Sequence, residues 1–108
     1  MRIIIDRDAV CAGDDMNHHR EEFVVPDDIT IAGLFEFLEF KYIPVIAENN
    51  VVWALYYHDH ELGAYFTKIQ SFINGNISLS SIINRSEKDH EFYLHYYSHP
   101  DRYRKRFI

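Results

Sequence analysis

The segment Val51–Tyr57, VVWALYY, constrains the fold more than any other stretch. As a strand it puts Val51, Trp53, Leu55 and Tyr57 on one face and Val52, Ala54 and Tyr56 on the other. Both faces are apolar, which belongs in the interior of a sheet covered on both sides. Arg2–Asp6 has the same character, because Ile3-Ile4-Ile5 is apolar on both faces, so it too is expected to be central. Glu91–Tyr97 alternates instead. Phe92, Leu94 and Tyr96 are expected to face the core, with Glu91, Tyr93, His95 and Tyr97 opposite.

A second strand is expected over Arg20–Val25, closed by Pro26 and antiparallel to the first across the loop Asp8–His19. Asp28 or Thr30 then offers an N-cap oxygen to a helix. Ile31, Leu34, Phe35, Leu38 and Tyr42 fall at offsets 0, 3, 4, 7 and 11, a stripe that faces a core. Pro44 sets the latest end of that helix. Phe37 and Phe40 lie off the stripe, so either the helix frays or is covered there, or it carries a second apolar face open to a partner.

Glu48-Asn49-Asn50 reads as a turn before the VVWALYY strand, and His58–Glu61 as a hairpin turn into Leu62–Lys68. Residues 69–84 carry no clear period beyond a turn at Asn74-Gly75 and one helical turn near Leu79–Ile83. His99-Pro100 opens a short C-terminal helix, since proline suits the first helical position. The expected fold is one α+β domain over residues 1–108. Its mixed sheet of about five strands packs on one main helix, with a short C-terminal helix. Over Arg2–Tyr57, the Ile-rich first strand, the Val24-Val25-Pro26-Asp27-Asp28 entry and the amphipathic helix resemble the β-grasp or ubiquitin-like architecture. A conjugation role is not expected, because the chain ends Arg-Phe-Ile without that family's Gly-Gly.

The net charge of −6 is unevenly spread. Residues 1–100 hold seven basic and sixteen acidic side chains, whereas Arg102, Arg104, Lys105 and Arg106 crowd the end against Asp101. An acidic body repels nucleic acid, which needs a basic patch, and attracts basic proteins. Any nucleic-acid contact is therefore expected only through the basic tail, which could equally pack on the chain's own acidic surface. No apolar run approaches the ~20 residues that span a bilayer. The isoleucine run after Arg2 is short for a signal-peptide core of about 7–15 residues. The single cysteine, Cys11, cannot pair internally. These features point to a cytosolic, reducing setting.

Chemistry-bearing patterns are sparse. The four glycines form neither G-x-x-x-x-G-K nor G-x-G-x-x-G, and G-x-S-x-G is missing, so no cofactor is expected. One cysteine excludes paired Cys spacings for zinc. His58-x-His60 with His95 or an acid is the remaining metal geometry, and uncoordinated histidines are the expectation, with no metal site. Asp6, Asp8, Asp14, Asp15, Glu21 and Glu22 lack the D-x-D-x-D-G spacing of a calcium loop. They are read as a solvated acidic segment, or as a face that pairs with a partner's Arg or Lys. One enzyme reading survives, a metal-independent ribonuclease using His95, Tyr93 and Tyr97 with Arg102 and Lys105.

Eight Tyr and one Trp exceed what so small a domain readily buries, and these residues dominate binding hot spots. A small, acidic, aromatic-rich domain without catalytic motifs resembles the bacterial immunity proteins that neutralise basic nuclease toxins. That resemblance implies a non-catalytic inhibitor with a basic protein partner. Asp14, Asp15, Glu21 and Glu22 are the candidate charged contacts, and Tyr93, His95 and Tyr97 the aromatic anchors. A third reading is a homo-oligomer with Phe37 and Phe40 in its interface.

Overall fold

The computed structural model describes residues 1–10, 19–44 and 50–107. Six strands, β1 (Arg2–Arg7), β2 (Glu21–Val24), β3 (Val52–Tyr57), β4 (His60–Phe66), β5 (Ser71–Ile73) and β6 (His90–Tyr97), form one sheet in the order β2-β1-β6-β3-β4-β5. The pairing of β1 with β6 is parallel and the others are antiparallel. Two helices, α1 (Ile31–Lys41) and α2 (Pro100–Arg104), complete the α+β fold.

The two-faced strands lie where their composition requires. β1, β6 and β3 occupy the middle of the sheet, and Trp53, Ile3, Ile5, Leu55 and Leu94 are fully buried there. Their partners on α1 are Ile31, Leu34, Phe35 and Leu38. Thr30 caps this helix, its Oγ1 accepting from Gly33 N at 3.0 Å. Helical structure runs through Phe40 to Lys41, so the helix does not fray early, and Phe40 is 84% exposed. Phe37 is instead half-buried edge-on against Phe23 of β2, with ring centroids 5.3 Å apart.

The opposite face of β3 and β4 has its own small core. Val52, Ala54, Ala64 and Phe66 pack with Tyr103 of α2. The Tyr103 ring meets Phe66 and Tyr97 edge-on, at 5.5 and 5.4 Å. Both faces of VVWALYY are therefore covered, one by each helix.

The expectation of about five strands on one main helix is corrected to six strands; the short C-terminal helix expected at His99-Pro100 is α2, and it packs on the face opposite α1. The additional strand, β5, is three residues long and too short to show a period of two. It is framed by Gln70 and Asn74, at φ 50° and 59°. Asn74 tolerates that left-handed geometry, and its Nδ2 donates to Leu62 O at 2.9 Å. A close approach at Gly63 admits β5, since a Cβ there would lie 2.4 Å from the carbonyl oxygen of Ile73.

Candidate functional site

On the face opposite α1, β6 presents Glu91, Tyr93, His95 and Tyr97, flanked by Ile4 and Asp6 of β1 and by Tyr56, Ala54 and Val52 of β3. α2 covers the β3–β4 side and the end of β6 at Tyr97. Over β1 and the first half of β6, Ile4 is buried on this face, Asp6, Tyr93 and His95 are half-buried and Glu91 is exposed. Tyr56, Tyr93 and His95 are partly accessible there.

Asp8 organises this group. The parallel pairing brings the end of β1 beside β6, and Asp8 N donates to Leu94 O at 3.0 Å. One oxygen of the Asp8 carboxylate accepts from Tyr93 Oη at 2.7 Å. The other accepts from Tyr96 N at 2.8 Å and lies 3.3 Å from His95 Nδ1. A carboxylate only accepts, so Nδ1 carries a proton, and in the neutral ring Nε2 is the acceptor nitrogen. The His95 side chain is 43% exposed. Its ring lies 4.7 Å from both Tyr93 and Tyr56. Burial, and then the hydrogen bond to Asp8, push the Tyr93 phenol well above its ordinary range, so it stays protonated and donates.

A second cluster adjoins the first through Tyr56. Glu61 accepts from Tyr56 Oη at 3.1 Å, from Tyr103 Oη at 3.2 Å and from Arg106 Nη2 at 2.9 Å. Arg106 also donates to Tyr56 Oη at 3.1 Å and to Tyr103 O at 3.0 Å. Its guanidinium lies over the Tyr97 and Tyr103 rings, at 4.8 and 4.2 Å. Part of the basic tail thus packs on the chain's own acidic surface.

The anticipated anchors are brought together in part. Tyr93 and His95 share the Asp8 cluster. Tyr97 is on the same face, about 13 Å along the strand from Tyr93 and about 7 Å from His95 at ~3.3 Å per residue, and it belongs with Tyr103 and Arg106. Glu21 and Glu22 lie on the edge strand β2. Glu22 takes both bonds of Arg2, at 2.9 and 2.8 Å, while Glu91 pairs with Arg20. Asp14, Asp15, Cys11 and His18, and most of the turn at Glu48-Asn49-Asn50, lie outside the described residues. Arg102 and Lys105, assigned with His95 to a ribonuclease site, line a separate cleft beside Tyr97. Asp8, Glu61, Tyr56 and Arg106 were not anticipated at this site. No spacing signals them, because Asp8 meets Tyr93 across 85 residues and Arg106 meets Glu61 across 45.

His58 pairs with Glu87 at 3.2 Å, and His99 caps α2 by accepting from Asp101 N at 3.1 Å. Among the described residues no three His, Cys, Asp or Glu side chains are grouped to hold a metal ion. Among the same residues no helix is long and apolar enough to cross a membrane. No family model, curated protein or solved structure matches this chain.

Proposed function

We propose that this chain binds a basic protein through the sheet face opposite α1 and inhibits it without catalysing a reaction, as an immunity protein does. The observation that carries this reading is the aromatic group Tyr93–His95–Tyr56. It stands half-buried on the sheet face opposite α1, with the carboxylates Asp6, Asp8, Glu61 and Glu91 around it. Aromatic side chains held by hydrogen bonds lose little entropy when a partner covers them. Glu61 and Glu91 already pair with Arg106 and Arg20, so a partner's Arg or Lys would join these pairs or meet Asp6. Asp14 and Asp15, which precede β2, belong to the same proposal by sequence.

The finer architecture we propose is a β-grasp variant. Its support is the strand order β2-β1-β6-β3-β4, the parallel β1–β6 pair and the α1 crossover on one face, with β5 as an added edge strand.

The test is retention of a basic protein by the immobilised chain, compared with Tyr93→Ala/His95→Ala and with Asp14→Lys/Asp15→Lys. The expected outcome is one basic protein held by the natural chain and released by both variants, whose near-ultraviolet circular dichroism matches the parent. Retention indifferent to these substitutions, or no retention, overturns the reading.

One observation favours a second reading. Asp8 holds the His95 ring through Nδ1 and leaves Nε2 without a partner among the described residues, as a general base requires. Under that reading a ribonuclease assay shows turnover that His95→Ala abolishes, while ligand binding survives.

A further inference from the structure

Four of the last seven residues are cationic in a chain whose net charge is −6, and two of them have tasks inside the protein. Arg106 is bound to Glu61, and the Arg104 guanidinium sits 5.1 Å from the centroid of the Phe66 ring. The side chains of Arg102 and Lys105 have no hydrogen-bond or ion-pair partner among the described residues. They are three residues apart on α2 and the 3₁₀ turn that continues it, a spacing that places them on one side. α2 is five residues long, so a macrodipole accounts for little of this charge.

Both cations open on the same cleft, of about 590 Å³, at the C-terminal end of β6. The rest of its lining is Tyr96, Tyr97 and Ser98, and no acidic residue contributes. Successive strand residues point to opposite faces, so the two tyrosines straddle the strand end. Arg and Lys only donate hydrogen bonds, and the hydroxyls of Tyr and Ser can donate. A cleft lined by donors and two unpaired positive charges selects a compact dianion. A phosphate monoester has that charge and the acceptor oxygens that an Arg fork and a Lys ammonium bind. The volume falls within the roughly 300–1,000 Å³ of small-molecule sites, leaving room for an organic group beside the phosphate. A long polyanion would meet repulsion from the acidic body.

We infer that this cleft binds a small phosphate monoester, with Arg102 and Lys105 on the phosphate and the tyrosines beside the organic group. This site is independent of the Tyr93–His95–Tyr56 group proposed for a protein partner.

The test uses backbone-amide NMR titrations with adenosine monophosphate, inorganic phosphate and adenosine. The expected result is saturable shifts at residues 96–105 with adenosine monophosphate, weaker ones with inorganic phosphate, and none with adenosine. Arg102→Gln/Lys105→Gln should weaken adenosine monophosphate by about tenfold or more, through loss of both charge-assisted contacts. Arg85→Gln/Lys88→Gln, the same charge change at the other end of β6, should leave it unaltered. Equal inorganic phosphate affinity would support the anion site and assign recognition to the phosphate alone. Absence of shifts with either phosphate compound, equal shifts in the Arg102/Lys105 variant, or equal weakening by the Arg85/Lys88 pair would overturn the inference.

Discussion

A carboxylate has two oxygens, and at Asp8 both are in use. They hold a phenol, a backbone N–H and an imidazole from one strand. Asp8→Ala leaves those donors without their acceptor, at a cost of about 1–3 kcal/mol for a group this far from full burial. Urea unfolding should show the loss, and the His95 ring signals should broaden or move. Asp8→Asn keeps one accepting oxygen and should recover part of the stability. Glu61 supports a second residue-level test, in pH. Burial, and then the Glu61 charge, push the Tyr103 phenol up to about 12. An unfolded tyrosine ionises near 10. The raised value therefore contributes stability that is fully present below pH ~10 and is lost as pH rises toward ~12. Thermal midpoints should fall through that window. In Glu61→Gln, phenolate absorbance should place the Tyr103 transition at lower pH, because one of its causes has been removed.

At the scale of elements, the approach of β5 to β4 rests on a missing side chain. Gly63→Ala sets a methyl against the Ile73 carbonyl, and backbone on both sides leaves little room to yield. A cost of about 1–3 kcal/mol is expected, as for other overpacked sites. Hydrogen exchange should show the amides of Ser71–Ile73 losing protection first, with those of β1 and β6 unaffected. The same strand marks where sequence reading stops. β1, β3 and α1 are legible because apolar runs and the Ile31–Leu38 stripe carry their own period. β6 is legible because Phe92 and Leu94 alternate with Tyr93 and His95. A three-residue edge strand has no room for a period, and its existence depends on β4 and on Gly63. Half of the site is legible for the same reason: alternation places Tyr93 and His95 on one face. Asp8 and Glu61 are set by a parallel register and by the packing of α2, which no local pattern encodes. Phe40 is the converse case: its off-stripe position left fraying, covering or exposure open, and the helix runs on with the ring exposed.

Across the whole molecule, opposite charges are sorted more than the net charge suggests. Arg2, Arg20 and Arg106 each pair with a glutamate, so much of the acidic excess is balanced within the sheet and its edge. Unpaired cations lie at the far end of β6, while Asp6, Asp8 and the paired Glu61 and Glu91 stand around the three aromatic rings on the face opposite α1. If a basic protein docks on that face, charge and aromatic area should act on different rates. Electrostatic attraction reaches about 10 Å at 0.1 M salt, so it acts mainly before contact. Raising the salt, or substituting Asp14 and Asp15 by Lys, should slow association and leave dissociation nearly unchanged. Tyr93→Ala removes area that is desolvated only in the complex, so it should speed dissociation and leave association nearly unchanged. Surface plasmon resonance over a salt series separates the two. Salt dependence carried equally by both rates, or a Tyr93→Ala effect confined to association, would mean that the aromatic group is not the buried centre of the contact. The partner would then be held by the acidic edge alone.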